Sequence, residues 1–201
     1  MTTIHPIETE SYRILRDRIS LDHLPAAERA VVERIIHASA DLEYAETVAI
    51  THGAADVALA ALERGAPVIA DVEMVRSGIT GLATHCYLAE ARAEEGVTRS
   101  AAAMRLAAER HPDGAVIVVG CAPTALVEAV ELVNAGTFRP AVIIGLPVGF
   151  VGAAESKELA RNGSTPSITN VGEKGGSAVA AAALNALARL RRTPEGGDDH
   201  G

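Results

Sequence analysis

The sequence predicts a single α/β domain over residues 1–190, a mainly parallel sheet with helices on both faces. Three observations lead there. Continuous apolar runs at 115–120 and 141–145 read as strands buried on both sides. Segments of ten or so residues with helical apolar spacing lie between such runs. The residues available to fill a core are small: 48% of the 201 residues are hydrophobic but only 2% are aromatic, with no Trp, which suits helices packed closely on a sheet.

The elements follow in order. Residues 1–25, with Pro6 and Pro25, are expected to wrap the domain surface, with a short helix starting at 10–15. Residues 25–37 read as a helix, since Pro25 suits a helix start and Ala30, Val31, Ile35 and Ile36 recur on one side. An alanine-rich helix at 54–64 stops at Gly65, a left-handed cap position. Residues 66–71 give a short buried strand, and 74–80 turn back through Gly78. A helix at 100–110 is capped by Thr98, whose hydroxyl can accept a first-turn N–H. The strand at 115–120 precedes a helix at 123–135 ended by Gly136, and the strand at 141–145 a short helix at 153–160. A last strand at 167–169 and a long alanine-rich helix at 177–190 complete the domain. The tail 191–201 is expected to be disordered. No internal repeat is present.

Composition excludes several classes of function. A net charge of −8 argues against nucleic acid, whose phosphates demand a basic face, and against an anionic membrane surface. No apolar run is long enough to span a bilayer, and no signal-type apolar core stands at the N-terminus. Cys86 and Cys121 form no CxxC pair, which fits a reducing cytoplasm, and packing roles are expected for both. A cytoplasmic protein is the expectation.

Chemistry points first to Arg34-Ile35-Ile36-His37-Ala38-Ser39-Ala40-Asp41-Leu42-Glu43-Tyr44. If the helix continues, Asp41 stacks on His37 four residues away, an arrangement that holds one imidazole tautomer and exchanges a proton near neutral pH. The other reading is a structural histidine at a helix end. Three glycine-rich turns, at 119–124, 145–152 and 172–177, follow predicted strands, and in an open parallel sheet such loops gather at the ligand crevice. Glycines let backbone approach a ligand, and helix N-termini present N–H groups to an anion. They serve equally as tight turns. Neither a GxGxxG fingerprint nor a GxxxxGK[ST] loop is present, no histidines share a metal-ligand spacing, and no Gly-x-Ser-x-Gly elbow occurs. Arg99, at a helix mouth, has the fork to clamp a carboxylate; the other reading is a solvated helix-start arginine.

Several motifs together resemble the precorrin-8X methylmutase family of cobalamin biosynthesis, which includes the cobalt-precorrin-8 methylmutases. They are Glu10-Ser11-Tyr12, Ile36-His37-Ala38, Asp71-Val72-Glu73-Met74-Val75 with Gly78-Ile79-Thr80, Thr98-Arg99-Ser100-Ala101-Ala102-Ala103, Ala122-Pro123-Thr124-Ala125-Leu126, the long run from Pro147 through Gly149-Phe150-Val151-Gly152 to Glu155-Ser156-Lys157, and Gly175-Gly176-Ser177. They stand in family order over roughly residues 8–190. The chain departs from the family at Cys121, where Asn is usual, at Glu173, where a basic residue is usual, and in a shorter stretch at 81–97.

The resemblance implies an isomerase that performs a 1,5-sigmatropic methyl shift on a corrin precursor, yielding hydrogenobyrinate or, with cobalt, cobyrinate. It implies His37 as the catalytic residue and Ser11, Arg13, Thr80, Arg99, Ser100, Lys174, Gly175 and Gly176 as substrate-binding. No separate cofactor or protein-bound metal is expected, any cobalt belonging to the substrate. A homodimer with the active site near its interface is implied, with transient contact to neighbouring pathway enzymes. Two other readings are a corrinoid binder or carrier without catalysis, and a nucleotide-using α/β enzyme suggested by the glycine-rich turns alone.

Overall fold

A computed structural model describes residues 5–51, 53–92 and 95–191. Within them the chain runs α1 (Pro6–Arg18), α2 (Ala26–Ser39), α3 (Tyr44–Thr47), β1 (Val48–Ile50), α4 (Ala54–Glu63), β2 (Val68–Ala70), α5 (Glu73–Gly78), β3 (Thr84–His85), α6 (Arg99–Arg110), β4 (Val116–Val119), α7 (Pro123–Asn134), β5 (Val142–Gly145), α8 (Ala153–Asn162), β6 (Ser167–Asn170) and α9 (Ser177–Arg191). The strands form one sheet in the order β1-β6-β5-β4-β2-β3. Every neighbouring pair is parallel except β1 with β6. The sheet is the α/β architecture expected from the apolar runs.

Alternate residues of the central strands feed two cores. Val68, Ala70, Val116, Val118, Val142 and Ile144 face α1, α2, α4, α5 and α9. Ile69, Ile117, Val119 and Ile143 face α6, α7 and α8. Both faces are dry, so the strands show no polar alternation. α9 lies at the middle of the first layer with Ala180, Ala183, Leu184 and Leu187 fully buried. Its alanines let α2 and α5 approach closely. The end of β4 lies so near it that a Cβ on Gly120 would meet Ala180 Cβ and Ser177 Cα at 2.9 Å. Truncating Leu184 or Leu187 to Ala in such a core costs about 2–5 kcal/mol.

Several local expectations are corrected. α1 is a full helix that starts at Pro6, not a short one from Glu10, because His5 caps it: its Nδ1 accepts the Ile7 N–H at 3.2 Å. Residues 73–78 are helical instead of a turn. β1, α3 and β3 were not anticipated, since strands of two or three residues at the sheet edges carry too few side chains to show a pattern. Arg191, expected to open the tail, is helical: it belongs to α9 and donates to the Leu62 carbonyl at 2.9 Å, whereas 192–201 lie outside the described residues.

Candidate active site

α2 ends two residues after His37. Ala40 adopts a left-handed conformation (φ 54°) and its N–H closes the helix on the Ile36 carbonyl at 2.7 Å. The turn carries Asp41 off the helix, so the expected stacking of Asp41 on His37 does not occur. Asp41 and Glu43 instead each accept a hydrogen bond from the Lys174 ammonium at 2.6 Å.

His37 takes its partner from α1. Ser11 Oγ lies 2.8 Å from His37 Nδ1. The adjacent Tyr12 ring stacks on the imidazole, with centroids 4.9 Å apart and planes 9° from parallel. Tyr12 is itself held by Arg34, which donates to its hydroxyl at 3.3 Å, and Arg34 and Arg189 both pair with Glu8. Partial burial pushes the His37 pKa below the usual histidine value, helped by the Arg34 and Arg189 charges and opposed by Glu8. A neutral imidazole therefore predominates at pH 7. When the Ser11 O–H donates to Nδ1, the ring proton sits on Nε2 and His37 presents an oriented N–H; when Nδ1–H donates to Ser11, Nε2 is an acceptor.

The remaining expected site residues spread along the carboxyl edge of the sheet and beyond it. Lys174, Gly175 and Gly176 form the β6–α9 loop. Arg99 and Ser100 open α6, where Thr98 caps the helix and its Oγ1 lies 2.7 Å from Thr124 Oγ1. The Arg99 guanidinium is exposed and bonds to no described residue. Arg13, the residue after Tyr12, is engaged by Glu10 and Asp17 on its own helix. Thr80 packs against α9, its N–H on Asn185 Oδ1 at 2.9 Å. Of this set, only Ser11 touches His37 in the single chain, and Lys174 reaches the His37 segment through Asp41 and Glu43.

The glycine-rich turns differ from the expected anion cradle. The N–H groups of Gly120, Cys121 and Ala122 converge on a carboxylate the protein supplies itself, that of Asp71, at 3.1, 2.9 and 2.9 Å. Asp71 is buried, which pushes its pKa up against the pull of those donors. In the second turn, the Gly149 N–H bonds the Glu173 carbonyl at 3.1 Å; in the third, the Gly176 N–H bonds that of Leu146 at 2.8 Å. A Cβ on Gly175 would stand 2.3 Å from the Leu146 oxygen, so only glycine allows this approach of two loops. Besides the Arg99 guanidinium, this edge offers a ligand large apolar side chains: Phe150 is 91% and Val151 88% exposed, with Val148, Val171 and Met74 also open.

Cys121 is exposed, contrary to the packing role expected of it, and Cys86 is half-buried. His85 and His111, unremarkable in sequence, meet with ring centroids 4.9 Å apart, and His111 Nε2 lies 2.6 Å from the Tyr87 hydroxyl. They stand at the end of α6 opposite Arg99. No group of three metal-ligating side chains occurs among the described residues, and none of their helices is long and apolar enough to cross a membrane. His52 and His200 lie outside the described residues. Sequence reasoning also passed over Tyr12 as a platform for His37, and Asp71 and Lys157 as buried anchors. The available signals were an acid ending an apolar strand and a lysine ending the long motif from Pro147.

The family model described as precorrin-8X methylmutase matches residues 6–190. A cobalt-precorrin-8 methylmutase of Methanothermobacter thermautotrophicus is 42% identical over 198 residues, covering 95% of each chain. A precorrin-8X methylmutase of Pseudomonas aeruginosa is 40% identical, over 92% of this chain and 95% of that protein. The crystal structure of a precorrin-8X methylmutase from Thermus thermophilus superposes with a TM-score of 0.84 at 37% identity, covering 92% of this chain and 95% of the other.

Proposed function

The chain belongs to the precorrin-8X methylmutase family, and from that premise we propose that it is an isomerase of cobalamin biosynthesis acting on precorrin-8X or cobalt-precorrin-8. The reaction moves one methyl group between adjacent ring carbons: one C–C bond breaks, another forms, and the ring π-electrons rearrange. Atoms and electrons balance within the substrate, so the step calls for no redox partner and no separate cofactor. Cobalt, where present, is part of the substrate.

The observation that carries the reading is His37 held at Nδ1 by Ser11 and stacked on Tyr12. A neutral imidazole fixed in this way donates a hydrogen bond from its remaining N–H to the macrocycle as the methyl migrates, and keeps its proton throughout. One preorganised hydrogen-bond donor aimed at developing charge contributes about 100- to 1,000-fold. Arg99, unpaired among the described residues, suits a bidentate hold on one of the substrate's peripheral carboxylates. The exposed side chains of Val148, Phe150 and Val151 suit the apolar ring face. Arg13 and Lys174 reach substrate only by exchanging their present acidic partners, and Ser11 acts through His37. Gly175 and Gly176 act by allowing the loop approach, while Thr80 and Ser100 are assigned to the pocket wall.

The site is one-sided in a single chain, and a homodimer completes it in this reading. Large apolar side chains standing almost wholly in water at a ligand-facing edge favour a second copy as their cover. The protein is assigned to the cytoplasm with the rest of its pathway. The deciding experiment incubates the enzyme with metal-free and cobalt-loaded substrate side by side and follows the corrin spectrum. Product from either supports the assignment. Tight binding without conversion would make the protein a corrinoid carrier.

A further inference from the structure

Lys157 on α8 is completely buried, and no carboxylate among the described residues pairs with it. A buried cation without a counter-ion is costly, and an apolar side chain of the same length would fill the space without that cost. Two acceptors answer its ammonium: Asn170 Oδ1 at 3.0 Å and the Lys174 carbonyl at 2.6 Å. The Lys174 carbonyl also accepts the Asn170 Nδ2–H at 2.9 Å, and the same amide donates to the Val171 carbonyl at 3.2 Å. From below, therefore, the β6–α9 loop is fastened at one carbonyl oxygen. From above, the Lys174 ammonium is fastened to Asp41 and Glu43, just past the turn that ends the helix carrying His37. One residue thus joins the buried ammonium to the catalytic segment.

We propose that Lys157 is a positioning residue for the methylmutase site: its buried ammonium fixes the Lys174 carbonyl, and through it the Lys174–Gly176 loop and the end of α2, without touching substrate. The inference rests on the methylmutase reading for its kinetic consequence, and on geometry alone for its effect on the loop. Binding suffers more than the chemical step, because the fastened groups surround the substrate and His37 keeps its own hold through Ser11.

The clamp has a built-in pH limit. Burial lowers the Lys157 pKa to about 8, assisted by Arg161 on the same helix and opposed by Glu173 on the clamped loop. Lys174 turns its ammonium away to Asp41 and Glu43, which raise its pKa, and β6 presents the uncharged Asn170. On losing a proton the amine keeps two N–H groups for its two acceptors. The bonds then become neutral ones, about half as strong as charge-assisted ones. The loop loosens as pH rises through about 8.

Wild type and Lys157→Met are compared for kcat and KM between pH 6.5 and 9.5. Hydrogen exchange of the 171–176 amides, corrected for intrinsic rates, is followed over the same range. In wild type, KM is expected to rise several-fold across pH 8 with kcat little changed, and exchange at 171–176 to accelerate. K157M is expected to show the high KM and fast exchange at every pH, with β4 and β5 still protected. A variant with wild-type KM, pH profile and loop exchange overturns the proposal. If K157M does not fold, the wild-type series decides alone, since KM and exchange that stay flat from pH 7 to 9 overturn it equally. Should wild type convert neither substrate, the methylmutase reading fails while the exchange data still decide the role of Lys157.

Discussion

Ser11 Oγ stands 2.8 Å from His37 Nδ1, across 26 residues of sequence and from a different helix. That one contact engages Nδ1 and, with Tyr12 stacked on the ring face, fixes the orientation of the imidazole. Removing the imidazole and removing only its holder are therefore separable experiments. His37→Ala is expected to lower kcat by about 100- to 1,000-fold, the range of one preorganised hydrogen-bond donor. Ser11→Ala leaves the imidazole in place but loses one hydrogen bond worth about 1 kcal/mol, so kcat should fall roughly five- to tenfold. Steady-state rates from the corrin spectrum read both. Equal losses in the two variants would place Ser11 in the chemistry itself.

The acid side of the pH profile follows from the environment of His37. Burial and two guanidinium charges hold its folded pKa below the usual value. The working neutral form is then lost only beneath about pH 6.5. kcat/KM should show an acid limb with its midpoint under that value; a midpoint above 7 would assign the work to a charged imidazole. The same shift has a stability consequence. The unfolded chain binds this proton near its ordinary pKa while the folded chain resists it, so stability declines as pH falls from about 6.5 through the folded value.

Asp71 offers a stability test independent of substrate. Its carboxylate satisfies three backbone N–H groups at the end of β4. Asp71→Asn turns one oxygen into a donor facing donors. The expected loss is about 2–4 kcal/mol, seen as a Tm lower by roughly 5–15 °C. An unchanged Tm would mean that the turn holds its shape without the carboxylate.

Gly175 tests the approach of the two loops. An added Cβ collides with the Leu146 and Pro147 carbonyl oxygens at 2.3 and 2.5 Å, which are backbone atoms and cannot rotate aside. Gly175→Ala should cost more than about 2 kcal/mol by thermal unfolding, or raise KM through a displaced Lys174 loop where the loop yields instead. A variant with native Tm and native KM would refute the contact.

Phe150 probes the proposed dimer. With the side chain 91% exposed in one chain, Phe150→Glu has little to disturb in the monomer fold. Sedimentation should show wild type as a dimer and the variant shifted to monomer, with lower activity and a nearly unchanged unfolding transition of the separated chain. A dimer of undiminished affinity would move the interface elsewhere.

What the sequence by itself determined is whatever repeats locally. Continuous apolar runs marked three of the four inner strands, β2, β4 and β5, helical spacing and glycine stops marked most helices, and motifs in family order marked the methylmutase likeness and pointed to His37. The short edge strands escaped because two or three residues make no period. Tertiary structure alone decided the pairings. Local spacing offered Asp41 as the partner of His37, but a left-handed Ala40 ends the helix first, and Asp41 goes to Lys174, 133 residues away. Glycine-rich turns suggested open anion cradles, but Asp71 fills the one after β4 from 49 residues upstream. Such contacts join side chains from distant segments. Their energy comes from geometry that exists only after the sheet has assembled, so no window of sequence records them.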